Sequence, residues 1–304
     1  MLSIALCAVA AGSARAMEPD YSGFQALLKQ YVRVLQPRGR PWESRFDYAQ
    51  LFVDEDIWNL HRADRLAAVH VELLAIDPAE MSARERTAWG INTYNFLVLE
   101  RMTMNLLVPA HQFQRYDSPL QVRADDGPFF AASVARIGGR DYSLTGFERR
   151  FVYGDTTSDP LADGSIAREF PGDPRLMCAL AKASLGTGPL LPWVYRADSL
   201  EAQLDRAARM ALALPYFLRA DVRSGYVVVS DRFFAERADF GGPDMPGLEA
   251  FVLRHGPLPV RRMIAAKQLK HRIPFFPPDW KLNYFDHPSP RFPAPAAVDS
   301  TRKR

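Results

Sequence analysis

Two asparagines lie within an otherwise apolar stretch of the chain. Asn92 and Asn95 are three residues apart, so on a helix both amides share one face. Asparagine disfavours the middle of a helix because its side chain competes for backbone hydrogen bonds. Buried amides must find partners, and two interpretations follow. Either the pair pins a neighbouring loop, or it orients a ligand or a catalytic group.

A second group of polar residues begins at Asp173 and ends at Ser184. Asp173 followed by Pro174 predicts a helix N-cap, and Asp173 needs no other role. Arg175 would lie near the positive end of that helix, so we expect a carboxylate partner for it. Lys182 is either an ordinary solvated residue or a desolvated amine near Ser184, as in Ser-Lys chemistry.

Other signatures of chemistry are missing from the sequence. Gly186-Thr-Gly188 lacks the lysine and the spacing of a phosphate-binding loop. No two of the six histidines have the spacing of metal ligands on a helix face, so we predict neither a metal site nor a cofactor. Cys178 is interpreted as a small buried apolar residue.

Hydrophobic spacing predicts the helices that must position these residues. The longest begins at Ser82, whose capping-box partner is Glu85, and runs to about Leu107. A second helix from Asp173 to about Ser184 would carry the other polar group. Further helices are predicted over Tyr21–Leu35, Arg62–Ala75, Ser199–Leu212 and Leu248–His255, with one more capped by Ser230.

Two hairpins complete the predicted fold. One turns at Gly138-Gly139 and the other at Arg223-Ser-Gly225, where glycine suits the positive φ of a tight turn. The fold class is therefore α+β, a mainly helical single domain with a small antiparallel sheet built from hairpins. We assign this domain to residues 17–286. Residues 287–304 form a Pro/Ala-rich tail, predicted to be disordered.

The N-terminus has the pattern of a signal peptide. A short apolar run, Leu2–Gly12, precedes the small residues Ala14 and Ala16, which suggests cleavage after residue 16. The run is too short to span a bilayer, and no later segment reaches that length. We therefore expect a periplasmic or secreted protein. Because no basic residue precedes the run, a start further upstream and a cytosolic N-terminus stay open as alternatives.

Composition excludes several classes of protein. Of 304 residues, 48% are apolar and 24% are charged, which is typical of a globular chain and not of a disordered chain, a collagen or a coiled coil. Lys plus Arg number 38 and Asp plus Glu number 35, giving a formal charge of +3. On this count the charges are mixed, without a basic stripe, so no nucleic-acid partner is expected.

Several motifs in order resemble the bacterial and plant family catalogued as domain of unknown function 547, DUF547. The resemblance covers roughly Phe46 to Asn283, and Ile91-Asn-Thr-Tyr-Asn95 is its most specific match. The other matching segments are Phe46-Asp-Tyr48, Gly138-Gly139 with Ser143-Leu144, Asp173-Pro-Arg175-Leu176, Ser230 to Phe240, and Asp279-Trp280-Lys-Leu-Asn283. The resemblance implies family-motif or ligand-binding roles for Asn92, Tyr94, Asn95, Asp173 and Arg175.

The sequence departs from this family at its most reactive positions. After D-P-R-I the family reads close to H-F-A-L-x-C-A-S-x-S-C-P, whereas Met177 stands at the histidine and Lys182 and Thr187 stand at the two cysteines. Methionine cannot shuttle a proton, and neither lysine nor threonine replaces a thiolate. The chain thus resembles a divergent member of the family that lacks the family histidine and cysteines. This difference suggests a pseudoenzyme.

Three functions are compatible with these patterns. The favoured one is a non-catalytic exported domain that binds a ligand or a partner in the former family cleft. The second is a hydrolase or acyl-transferase that uses Lys182, Ser184 or Asp173 in place of the histidine and cysteines. The third is an exported structural or assembly protein that uses its surface and its basic tail.

Overall fold

The computed structural model describes residues 19–286, except 37, 39–40, 58–62, 109–110, 125–126, 158, 162–171 and 269–272. Side chains of residues 107–108, 111–114 and 124 are also outside the description. The predicted signal peptide and the predicted tail therefore lie outside the described residues, and both stay predictions.

Helices form most of the regular structure, as the sequence predicts. Those of seven residues or more are α1 Ser22–Tyr31, α2 Tyr48–Asp54, α3 Asp64–Leu74, α4 Ala83–Met104, α7 Leu200–Leu212, α9 Leu248–His255 and α10 Leu258–Ala265. Short helices are α5 Leu144–Phe147, which continues into a π-helical turn at Glu148–Val152, α6 Leu176–Ala179 and α8 Arg232–Ala235. Single 3-10 turns occur at Pro78–Glu80, Pro119–Gln121 and Arg237–Phe240.

The strands pair in small sheets, most of them local hairpins. The strands are β1 Val32–Leu35, β2 Glu43–Phe46, β3 Leu107–Val108, β4 His111–Arg115, β5 Arg123–Ala124, β6 Gly127–Pro128, β7 Ser133–Ile137, β8 Arg140–Ser143, β9 Leu218–Asp221, β10 Tyr226–Ser230 and β11 Phe275–Phe276. Each of β1–β2, β3–β4, β5–β6 and β7–β8 is an antiparallel pair. The largest sheet has the order β11-β10-β9, in which β10 is antiparallel to β9 and parallel to β11. The predicted α+β class is confirmed.

Helix α4 is the centre of the larger core. Ser82 and Glu85 form the predicted capping box at its start. Every residue from Ala88 to Leu99 is buried, so the helix is enclosed on all sides. A Cβ on Gly90 would lie 2.6 Å from the carbonyl oxygen of Phe151, so only glycine allows the π-helical turn to pack this closely.

The structure has a second, smaller core. Met177 and Cys178 belong to it and pack with residues of α7, of the β9–β10 hairpin, and of α9 and α10. Cys178 is fully buried, in agreement with its predicted role as a small apolar residue, and burial raises the pKa of its thiol. Burial therefore works against the thiolate that nucleophilic chemistry would require.

Several predicted elements are confirmed and others are wrong at their ends. Gly138 and Gly139 adopt φ of +55° and +78° in the β7–β8 turn, and the β9–β10 hairpin turns where predicted. Helix α1, however, ends at Tyr31 instead of Leu35. The next four residues form β1 because β-branched Val32 and Val34 pair with β2, a long-range contact that helical spacing does not report.

The helix predicted from Asp173 to Ser184 is also wrong. Only the turn α6, Leu176–Ala179, is helical, and Leu180 is extended. Asp173 is not the N-cap, since Arg175 flanks this helix, and the Asp173 carboxylate accepts instead from the Arg175 backbone N–H at 2.9 Å. At Ser230 the hydroxyl accepts from the Arg232 N–H at 3.3 Å, although Asp231 is the residue that flanks α8.

Within the described part of the chain, no helix is both long enough and apolar enough to cross a bilayer.

Candidate functional site

Asn92 and Asn95 bind the backbone of neighbouring loops. The Asn92 amide donates to the Tyr195 carbonyl at 2.8 Å and accepts from the Tyr195 N–H at 2.8 Å. Asn95 donates to the carbonyl of Ala179 at 3.0 Å and accepts from the N–H of Ala181 at 2.8 Å. Both asparagines are buried, so each side chain replaces the partners that a strand or helix would supply.

The contact with Asn95 explains why helix α6 is short. Its amide takes the carbonyl of Ala179 and the N–H of Ala181, which a continuing helix would bond internally. The chain then enters an irregular buried stretch, residues 180–191, which we call the site loop. In it Ala183 has φ of +56°, a left-handed conformation that is strained for any residue with a Cβ.

The closing segment of the chain supports the site loop from the other side. The Leu185 N–H donates to the Lys281 carbonyl at 2.9 Å, and Gly186 lies so close to Asp279 that a Cβ would be 2.4 Å from its nitrogen. Asn283 donates its N–H to the Ala183 carbonyl at 3.1 Å. The Asn283 side chain accepts from the Tyr48 hydroxyl at 3.0 Å, which ties the loop to α2.

Lys182 is buried against a carboxylate. Its Nζ lies 2.8 and 2.5 Å from the two oxygens of Glu148, and the side chains of the pair are only 12% and 8% exposed. The prediction of an ordinary solvated lysine is therefore wrong. Burial lowers the pKa of Lys182, while the Glu148 carboxylate opposes that shift.

Three further polar side chains surround this ion pair. The ring of Tyr94 lies 5.8 Å from the Lys182 Nζ, and its buried hydroxyl has no hydrogen-bond partner among the described residues. Burial and the charge of Glu148 raise the pKa of Tyr94. Arg232 and Glu236 approach each other at 4.0 Å, and their charges act on Lys182 and Tyr94. These five residues are the Lys182 cluster, with two charges of each sign.

Ser184 belongs to a different network. Its Oγ lies 3.3 Å from the hydroxyl of Thr187, which also donates to the Ser184 carbonyl at 3.1 Å and accepts from the Lys182 backbone N–H at 3.0 Å. The cavity beside Ser184 and Thr187 has a volume of about 10 Å³. That is about the space of a single water molecule and leaves no room for a substrate.

Asp173 and Arg175 form a third network, which joins the D-P-R motif to α7. Arg175 donates to Asp173 at 2.5 Å, to Glu201 at 2.6 Å and to Asp205 at 2.8 Å. The sequence predicts one carboxylate partner for Arg175, and the structure provides three. The hydrogen bond to Asp173 is the leading cause that raises the pKa of the guanidinium.

A groove of about 410 Å³ opens beside this third network. Residues on its wall include Asp173, Arg175, Glu201, Phe251, Arg254 and His255. His255 is buried, its ring centre lies 4.8 Å from that of Phe251, and its Nδ1 has no partner in the described part of the chain. Arg254 is 67% exposed and reaches Asp205 only at 3.5 Å.

The sequence-predicted site residues thus fall into separate groups. No described hydrogen bond joins any two of Asp173, Lys182 and Ser184 through their side chains. Sequence reasoning missed Glu148, His255 and Arg254. Glu148 precedes two arginines and so resembles a solvated charge run, and nothing local indicates that a π-helical turn buries it. Over the described ranges, no group of three or more His, Cys, Asp or Glu residues could hold a metal ion.

Replacement of Asn92 by alanine is expected to lower the free energy of unfolding by about 1–3 kcal/mol, because it leaves two buried backbone groups of Tyr195 without partners. The matched control is Asn105→Ala, which removes one half-buried bond to the Arg101 carbonyl at the C-terminal end of the same helix. Chemical denaturation measures both. Equal losses in the two variants would contradict the pinning role of Asn92.

Two histidines should make the stability of the fold depend on pH, and their contributions should have opposite signs. Burial lowers the pKa of His255, so its stabilising effect is lost as the pH falls below about 6.5, where the unfolded state takes up the proton. Glu100, 2.8 Å from His70, raises the pKa of His70, whose contribution is present at low pH and lost as the pH rises through that raised pKa.

We therefore expect His255→Gln to reduce the loss of stability between about pH 7.5 and about pH 5.5, and His70→Gln to increase it. Unfolding free energies at the two pH values measure the effect, with the wild type as reference. If both variants change the pH dependence in the same direction, the assignment of the two environments is wrong.

Comparison with known proteins supports the resemblance seen in the motifs. Residues 78–210 match the family model described as "Protein of unknown function, DUF547". This stretch contains the Asn92–Asn95 motif, the Gly138-Gly139 hairpin, the D-P-R motif and the site loop, while Phe46–Tyr48, Ser230–Phe240 and Asp279–Asn283 lie outside it. No curated protein and no solved structure matches the chain. Residues 78–210 are therefore similar to the DUF547 family, over somewhat less than half of the chain.

Proposed function

We propose that this protein is an exported, non-catalytic DUF547 domain that binds a small anionic ligand or the acidic end of a partner. The main support comes from the three positions at which the resemblance places a histidine and two cysteines. Met177 is packed in the second core, Lys182 is paired with Glu148, and Thr187 holds the site loop. Each of the three residues has a structural role, and the cavity beside Thr187 has a volume of only about 10 Å³.

The groove beside the D-P-R motif is the best candidate for the ligand site. Its volume of about 410 Å³ lies in the range of small-molecule sites. Phe251 and Pro174 supply apolar wall, whereas Arg175 is already neutralised by its carboxylates. Arg254 is the most exposed cation of the groove and is held only loosely by Asp205, so it is free to turn toward a carboxylate or a phosphate.

One observation favours the second candidate, a hydrolase or acyl-transferase. The Lys182 amine is buried with a lowered pKa, and the Tyr94 hydroxyl beside it is unpartnered among the described residues. A buried amine of this kind is a possible nucleophile or base. However, Lys182 donates to both oxygens of Glu148 and would have to leave that carboxylate to act. The assembly role depends on the tail, outside the described residues, and stays a prediction.

Turnover separates the two proposals. With p-nitrophenyl esters and anilides we expect the same background rate from the wild type, from Ser184→Ala and from a Lys182→Met/Glu148→Gln double variant. The double variant is used because Lys182→Met alone would leave a buried carboxylate unpaired, at a cost of about 3–5 kcal/mol. Turnover that disappears in either variant, in a protein whose thermal unfolding is cooperative, would show that the domain is an enzyme.

Binding is tested by thermal shift with a panel of small carboxylates and phosphate esters. A ligand present at one hundred times its Kd stabilises the folded state by about 2.7 kcal/mol. We expect at least one compound of the panel to raise Tm, and the shift to be lost in Arg254→Ala but retained in Arg136→Ala, an arginine of nearly the same exposure outside the groove. A shift that survives Arg254→Ala would place the ligand elsewhere.

A further inference from the structure

One stretch of the chain is basic throughout. Residues 250–278 contain six Lys or Arg residues and no Asp or Glu, although the whole chain is nearly balanced at 38 against 35. The balance of the whole chain conceals this stretch, which we call the basic segment. It covers most of α9, all of α10 and β11. The expectation that the sequence lacks a basic stripe is therefore wrong for this region.

Three of the four Lys and Arg residues that the structure describes in the basic segment lack acidic partners, while the fourth, Arg254, lies 3.5 Å from Asp205. Arg261, Arg262 and Lys267 are all exposed, and no carboxylate of the described residues forms an ion pair with them. Elsewhere in the fold, arginines such as Arg65 and Arg175 contact one or more carboxylates. The positive charge of Arg261, Arg262 and Lys267 is thus available to an anionic partner outside the chain.

Apolar side chains of the basic segment are exposed as well. Leu258 is 53% exposed at the start of α10, and Leu253 is exposed in the last turns of α9. Phe275 in β11 is exposed and pairs edge-to-face with exposed Phe234 at 5.7 Å. On the opposite side of α10, Val260, Met263 and Ile264 are buried in the second core, so the helix is held firmly while its outer residues face the solvent.

We propose that the basic segment docks the protein on an anionic lipid surface. Basic residues gain energy near negatively charged headgroups, and neighbouring leucine and phenylalanine side chains enter the interface between headgroups and acyl chains. The aliphatic residues favour a membrane over a nucleic acid, because leucine offers no aromatic face on which a base could stack. A protein docked in this way would hold its groove, and the ligand proposed to bind there, at the membrane surface.

The test is co-sedimentation of the full chain with vesicles of phosphatidylcholine alone and of phosphatidylcholine with phosphatidylglycerol. We expect binding to the anionic vesicles alone, weakened as salt is raised from about 0.05 M to about 0.5 M. Each basic residue near an anionic surface contributes about fivefold in affinity, so Arg261→Glu/Arg262→Glu should weaken binding at least about tenfold. Lys29→Glu/Arg84→Glu makes the same change in net charge at exposed positions outside the segment and should bind nearly as wild type.

A separate variant tests the contribution of the exposed apolar side chains to vesicle binding. Leu258→Ser should weaken binding severalfold, whereas Val71→Ser, at a still more exposed position on α3, should not. Equal binding to both kinds of vesicle, or equal loss in the two charge variants, overturns the proposal. Binding of a DNA duplex that is tighter than binding of anionic vesicles at the same salt, and that is lost in Arg261→Glu/Arg262→Glu, also overturns it in favour of a nucleic-acid surface.

Discussion

The structure depends on one constraint, which is that a long irregular loop must be buried beside α4. Residues 180–191 make no regular ladder of their own, yet most of their backbone is inside the protein. An unpartnered buried backbone group costs about 1–3 kcal/mol, so the loop is stable only if other groups supply the missing partners. The Asn95 side chain does so at the start of the loop and the backbone N–H of Asn283 does so at Ala183, while the Asn92 side chain performs the same task for Tyr195.

The same constraint explains the position of the Lys182 cluster. Because Ala183 is left-handed and Gly186 lies against the Asp279 backbone, the loop has little freedom to turn Lys182 toward the solvent. The ammonium must then be neutralised inside the protein, and Glu148 does this from the π-helical turn. The desolvation of two charges offsets much of their attraction, so the pair contributes less to stability than to the fixed geometry of the loop.

Sequence patterns predicted the parts of the fold that depend on local contacts. The capping box at Ser82, the turn at Gly138-Gly139 and α9 all follow from residues within a few positions of each other. The failures have a common cause, since each depends on a distant partner. Strand β1 needs β2, the early end of α6 needs Asn95, and the burial of Lys182 needs Glu148, 34 residues away.

The predicted site was incomplete for the same reason. His255 and Arg254 join Asp173 and Arg175 at one groove only because α9 packs beside the D-P-R motif.

These contacts also determine what a motif match can report. Asn92 and Asn95 bind loop backbone, and Arg175 joins the D-P-R motif to α7. All three hold parts of this fold together, whether or not any reaction takes place beside them. Agreement at such positions therefore indicates a shared fold and carries no information about activity. Evidence for chemistry must come from other positions. At Met177, Lys182 and Thr187 the structure shows core packing, an ion pair and a loop contact.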